Sequence, residues 1–212
     1  MLEKSSPVKL AGSTLSHSCH ACAFFHSKEE EYEVLMPFIL EGFKNGDRAF
    51  HIVNKDHRAE HLARLQQEGI DVDSAEAAGL LAVVRWEDTY LKDGRFDQML
   101  MIETLKEALS IATPPGKISR NIANMEWALE SMPGVEDIVE YEARLNQALP
   151  KNHDPVVCTY DLSKFDASVV VDIMRTHPMV IIGGILQHNP FYIPAEEMLA
   201  EIDARRNQKN KN

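Results

Sequence analysis

The chain has 212 residues, 44% of them apolar and 26% charged, enough for one large domain or two small ones with a sizeable core. Its net charge of −11 argues against nucleic acid or an anionic membrane surface as a partner, because both select a basic face. Three cysteines fit a reducing cytoplasm better than a disulfide framework, and neither a signal peptide nor a bilayer-spanning run is expected.

Residues 1–16 read as a flexible N-terminal arm. From Ser18 to Val53 the pattern is strand, turn, helix, turn, strand, the opening βαβ unit of a parallel sheet. Cys19 to Phe25 is an apolar run of strand length, and Leu35, Met36, Ile39, Leu40 and Phe43 share one helical face. Ser27 with Glu30 makes a capping box, and Asn45-Gly46 supplies a left-handed stop. Pro37 inside this helix predicts a kink or a lost hydrogen bond. The turn between strand and helix reads FFHSKEEE. It has no glycine to let backbone approach a phosphate, and Glu29, Glu30 and Glu31 fill the first helical turn, where a triphosphate would meet three like charges.

A second helix is expected from Asp56 to Glu68 with Ala59, Leu62 and Leu65 inward, then a strand from Leu80 to Arg85. An Asp93-Gly94 turn precedes a helix from Phe96 to about Ala112 that turns Phe96, Leu100, Leu105 and Leu109 inward. Lys117 to Asn124 reads as the fourth strand, followed by a short helical turn holding Trp127 and Leu129. Val135 to Leu149 is a helix, Pro155 to Tyr160 a strand and Ser168 to Arg175 a helix. Met179 to Ile185 has the look of a sheet centre, and Phe191 to Ile193 of a short edge strand. Pro194 opens a last helix to about Arg205, and residues 207–212 read as a disordered tail. This alternation implies an α/β fold: three layers, a mostly parallel sheet with helices on both faces, and one domain over residues 17–206.

Several short motifs occur in order along nearly the whole chain. They are His20-Ala-Cys22-Ala-Phe24-Phe25, Glu30, Pro37-Phe38 with Gly42 to Gly46, Tyr90 with Asp93-Gly94 and Phe96-Asp97, and Arg120 followed by Met125 and Trp127. Tyr141 to Asn146 (YEARLN), Cys158-Thr159-Tyr160-Asp161 and His177-Pro178 complete the set. In this the chain resembles the MEDS family, the methanogen and methylotroph sensory domain, named partly for a regulator of dichloromethane metabolism. The one visible departure is Asn124, where the family usually has an acidic residue. The resemblance implies a fold like that of RecA and the circadian-clock ATPases but without the phosphate loop. It also implies a sensory role, since members are usually input modules fused to histidine kinases, DNA-binding domains or sigma-factor regulators.

Ligands of open α/β sheets sit beyond the carboxyl ends of the strands. That rule gathers Phe25, His26, Asn54, Trp86, Glu87, Asn124, Glu126, Trp127, Tyr160, Asp161, Gln187 and His188, a mixture of aromatic surface and a few polar groups. The matched motifs add His20, Cys22, Tyr90, Arg120, Glu142, Cys158 and His177 as ligand-binding candidates. Glu142 and Asn146 lie four apart and so share a helical face, where the plainer reading is hydrogen bonding to neighbouring backbone. The metal reading rests on Cys19, Cys22, Cys158 and His177, with His17 and His20 nearby. Against it, Cys19 and Cys22 enter a strand, where residues three apart point to opposite faces, so no metal or other cofactor is assigned. A cysteine hydrolase using Cys158 and His177 is disfavoured because an apolar strand raises a thiol's pKa.

The expected function is a non-enzymatic sensory domain for a small organic molecule, one-carbon or derived from a halogenated hydrocarbon. It would act through a signalling protein such as a histidine kinase or sigma-factor regulator, or by homo-oligomerising. The alternatives are a ligand-free interaction scaffold derived from an ATPase-like fold and a metal- or Cys-dependent hydrolase.

Overall fold

Apolar runs separated by amphipathic helices leave the chain few choices, and the computed structural model, which describes residues 7–15, 19–111, 113–149 and 154–209, shows which one it takes. Two short strands, β1 (Val8–Leu10) and β2 (Ser13–Leu15), pair as a hairpin. Then follow β3 (His20–Phe25), α1 (Lys28–Asn45), β4 (Arg48–Val53), α2 (Arg58–Gln67), α3 (Val72–Ala77) and β5 (Leu81–Arg85). The second half carries α4 (Gln98–Ser110), β6 (Ser119–Asn124), α5 (Ile138–Ala148), β7 (Val156–Asp161), α6 (Ala167–Thr176), β8 (Met179–Ile182), β9 (Ile185–His188) and α7 (Ala195–Lys209). The main sheet has seven strands in the order β5-β4-β6-β7-β3-β8-β9, parallel throughout except for the antiparallel β8–β9 pair at one edge. This is the expected α/β architecture, although β3 and β4 of the opening unit are separated by β6 and β7.

Each face of the sheet buries its own core. Ala21, Ala23, Phe25 and Val157 pack under Leu35, Phe38 and Ile39 of α1 and Leu65 of α2. On the opposite face Cys22, Phe24, Cys158 and Tyr160 pack with Met101 and Leu105 of α4, Tyr141 and Leu145 of α5 and Ile173 of α6. The period-2 alternation of β3 and β7 therefore divides their side chains between the two layers. Met198 and Ile202 of α7 close over Ala143 of α5. Among the described residues no helix is long and apolar enough to cross a membrane.

The local signals of α1 are realised. Ser27 Oγ accepts from Glu30 N at 3.2 Å, while Glu30 Oε2 accepts from His26 N at 2.7 Å. At the other end Gly46 takes φ 73°, Gly46 N donates to Phe43 O and Asp47 N to Gly42 O, a Schellman stop. Pro37 lies inside α1 without ending it.

Other expectations change. Met179 to Ile185 is no sheet centre: Gly183 and Gly184, with φ of 57° and 73°, turn the chain so that β8 and β9 form a hairpin at the sheet edge. Phe191 to Ile193 is not a strand; the chain turns there, with Asn189 Oδ1 accepting from Phe191 N. Ala59 and Leu100 face solvent, and His61 is buried on α2 instead. For α4 the cause is its cap, since Asp97 Oδ1 accepts from Met99 N and Leu100 N and so sets a phase that buries Met101 and Ile102. Residues 8–15, expected in a loose arm, form the β1–β2 hairpin, whose Val8 and Leu10 are buried and whose Ala11 O accepts from Leu186 N of β9. Residues 207–209 belong to α7; residues 1–6, 16–18 (His17 among them) and 210–212 lie outside the described residues.

Candidate functional site

The strand ends meet α1 at its N-terminus. In a phosphate-binding turn the free amides of the first helical turn face the ligand. Here one of them is answered from within, the Glu30 amide by Ser27 Oγ; the Glu31 amide makes the first helical bond to Ser27 O, and Glu30 reaches back to His26 N ahead of the helix. The other two glutamates are also engaged. Glu29 pairs with Arg64 at 3.2 Å, and Glu31 sits 2.9 Å from Lys28 Nζ while its Oε1 accepts from Thr159 Oγ1 of β7. Beside this turn lies a cavity of about 220 Å³. Phe25 and Tyr160 border it, together with Glu29, Glu31, Glu60, Glu126, Asp161, Lys28, His57 and Lys164. Lys164 Nζ bridges Glu126 (2.8 Å) and Asp161 (3.6 Å), and neither carboxylate was paired with Lys164 in the sequence reading.

Four of the expected residues thus converge: Phe25, Glu126, Tyr160 and Asp161 border the cavity, while His26 is exposed and is not part of its lining. Others belong elsewhere. Trp86, Tyr90 and Trp127 are sealed in the core, with Tyr90 and Trp127 stacked at 4.7 Å and 10°. Asn54 and Asn124 cap turns, accepting from Asp56 N and Glu126 N. Glu87 holds Lys55, and Gln187 and His188 lie exposed on the edge strand β9. Arg120, near the amino end of β6, donates to Asp47, Glu41 and the carbonyl of Phe38, and it fills the space that a Cβ on Gly42 would need. It braces α1 against the sheet. Cys19 falls on the α1 face and Cys22 on the other, so the Cys-x-x-Cys pair is split, as the strand period requires.

The remaining candidates form one buried polar cluster, on the α5 face and remote in sequence. His20 opens β3, Cys158 lies in β7, Glu142 on α5, and His177 follows the last turn of α6; the four are 6%, 1%, 0% and 0% exposed. One ligand atom from each lies within 4.8 Å of all the others. Tyr160 Oη donates to Glu142 Oε1 at 2.7 Å, leaving Oε2 facing the three neighbours. Oε2 is 3.4 Å from His20 Nε2, 3.3 Å from His177 Nε2 and 3.9 Å from Cys158 Sγ, and Sγ is 3.5 Å from His20 Nε2. Burial pushes the Glu142 carboxyl up, and protonated His177 and His20 rings would outweigh it and hold it below the usual carboxylate range. Burial, and then His20, push His177 down. Burial, with Glu142 beside it, pushes the Cys158 thiol well above its ordinary value. A sealed, protonated thiol is no nucleophile. Asn146 does bond backbone, as expected, donating to Glu142 O and Thr176 O.

A second histidine pair had no signal in the sequence beyond its letters. On the α1 face His51 Nδ1 and His61 Nε2 are 2.8 Å apart, and His61 Nδ1 is 2.8 Å from Tyr32 Oη. Burial, helped by Lys28, Arg58 and Arg64, pushes His61 down to about 4, and burial with His61 pushes His51 down as well.

Known proteins share this chain's sequence pattern and fold. A family model described as MEDS, the methanogen/methylotroph, DcmR sensory domain, matches residues 19–178. The transcriptional repressor DcmR of Methylorubrum extorquens is 26% identical over 179 residues, covering 83% of this chain and 64% of the repressor. The fold is similar to that of a KaiC-like protein of Pyrococcus horikoshii OT3, with TM-score 0.58 and 12% identity over 84% of this chain and 79% of the other. The flagellar accessory protein FlaH of Methanocaldococcus jannaschii aligns with TM-score 0.49 and 16% identity, over 83% and 78% of the two chains.

Proposed function

The chain belongs to the MEDS family of sensory domains, and from that premise we propose that it is a non-enzymatic receptor module that takes up a small organic molecule in the strand-end cavity. The observation that carries this reading is the first turn of α1. Ser27 caps its Glu30 amide, Glu30 turns back to His26 N, and the adjoining cavity of about 220 Å³ is lined by five carboxylates against two lysines. Such a lining repels phosphate and carboxylate ligands and admits neutral or cationic ones. The volume is below the usual range for drug-sized ligands, which suits one-carbon compounds. Occupancy would act on the Lys164 bridge to Glu126 and Asp161, which joins the turn after β6 to the end of β7. A ligand that prefers one arrangement of that bridge shifts its population and so informs a signalling partner protein.

Titration of ¹⁵N-labelled protein with methanol, methylammonium, dichloromethane and magnesium ATP tests the proposal. The expected result is shifts confined to Phe25, Ser27, His57, Glu126 and Asp161 with at least one of the first three compounds, and none with ATP. ATP bound at micromolar strength against Ser27 to Glu31, or cavity resonances indifferent to all three organic compounds, would overturn it.

A further inference from the structure

The buried cluster on the α5 face is not used by this reading, and its geometry points to a site of its own. We propose that His20 Nε2, His177 Nε2, Glu142 Oε2 and Cys158 Sγ bind one divalent transition-metal ion, with zinc the natural fit, in a closed tetrahedral site.

The first argument is where the ring protons lie. Asn146 spends its NH₂ group on two carbonyls, so its Oδ1 faces His20 Nδ1 at 2.9 Å and can only accept. His177 Nδ1 lies 2.9 Å from the carbonyl of Ile173. Both Nδ1 atoms therefore carry hydrogen, and each neutral ring presents a bare Nε2 lone pair. Both lone pairs lie beside one carboxylate oxygen, at 3.4 and 3.3 Å. Two lone pairs directed at an anion in a dry interior repel unless a cation stands among them. His177 Nε2 is fully buried and, among the described residues, has no aligned hydrogen-bond partner, so an imidazolium–carboxylate bond does not resolve the conflict there.

The second argument is spacing. A tetrahedral zinc ion with ligand distances of about 2.0–2.3 Å holds its donors about 3.3–3.6 Å apart. Four of the six separations among these atoms are 3.3, 3.4, 3.5 and 3.9 Å, and the other two lie within 4.8 Å. The third is the outer shell. Ligating histidines normally donate their other N–H to a carbonyl or carboxylate, and ligating carboxylates are themselves hydrogen-bonded. Asn146 Oδ1, Ile173 O and Tyr160 Oη supply all three of these contacts. Nitrogen and sulfur donors select zinc-like ions over magnesium or calcium.

With four protein donors sealed from solvent, no coordination position is open, so the ion joins β3, β7, α5 and the end of α6 and does no chemistry on a substrate. Binding converts the Cys158 thiol to a metal-bound thiolate and releases its proton to solvent, so uptake strengthens as pH rises.

The full-length chain, stripped with a chelator and titrated with Co²⁺, gives the test. The expected result is one equivalent bound, with a thiolate-to-cobalt charge-transfer band and the intense visible bands of four-coordinate cobalt. Cys158→Ser loses the charge-transfer band, whereas Cys19→Ala and Cys22→Ala keep it; circular dichroism checks each fold. Should a variant fail to fold, the wild type decides alone: added zinc raises its Tm. Sub-stoichiometric uptake of cobalt and zinc by the wild type, an unchanged Tm, or binding without the charge-transfer band would overturn the proposal.

Discussion

His51 and His61 on one face of the sheet, and His20 and His177 on the other, are the same residue type at nearly the same depth, and their surroundings give them opposite characters. On the α1 face ring meets ring and ring meets phenol, a chain of neutral donors and acceptors that needs no charge. On the α5 face the Nδ1 atoms turn outward to Asn146 and Ile173 while the Nε2 atoms converge on a carboxylate and a thiol. Burial alone therefore says little about a histidine. The partner of its first nitrogen decides what its second nitrogen offers.

The comparison is broken most severely by removing the anion. Glu142→Ala strips the α5 cluster of its centre and leaves Tyr160 Oη without an acceptor, and it is expected to lower stability by about 4 kcal/mol in urea unfolding. A loss under about 1 kcal/mol would mean that the four groups are not coupled.

Next in size is acid. His61 has a folded pKa of about 4 against an ordinary value of 6.5, so the unfolded chain binds the proton more tightly. Its contribution is complete above 6.5 and is lost as pH falls toward 4, amounting to about 2 kcal/mol between pH 7 and pH 5. His51, also held low, acts with the same sign. His61→Gln removes its share of the slope, and a wild-type urea midpoint that stays constant over this range would show that the α1-face rings are not held neutral.

The smallest effect is the sharpest contrast. Tyr160 donates to a carboxylate and Tyr32 bonds a neutral ring. Tyr160→Phe is expected to cost about 2 kcal/mol and Tyr32→Phe about 1 kcal/mol, compared by denaturant midpoints at constant slope. Equal costs would remove the distinction between the charged and the neutral pair.

Much of this was legible in the letters, element by element. The capping box, the Schellman stop and the missing phosphate loop are written within Ser27 to Gly46, because each depends on neighbours a few residues away. The inward faces of α2 and α4 were misread at Ala59 and Leu100, because a cap or a buried polar residue can rotate a helix against its apolar pattern. The Gly183-Gly184 hairpin was hidden inside an apolar run, where periodicity cannot separate one central strand from two short ones. At the strand ends the sequence named Phe25, Glu126, Tyr160 and Asp161 but missed Lys164, which only the turn after β7 brings back over the cavity.

By itself the sequence determined most of the alternation of strands and helices, the two ends of α1, and the absence of a glycine-rich turn before it, since these follow from local geometry and local composition. Only the tertiary structure decided the strand order, and with it the meeting of His20 with Cys158 across 138 positions and of both with Glu142 and His177. The ladder between parallel strands carries no address in its hydrogen bonds, so which strands become neighbours is settled by how the covering helices bury their faces together.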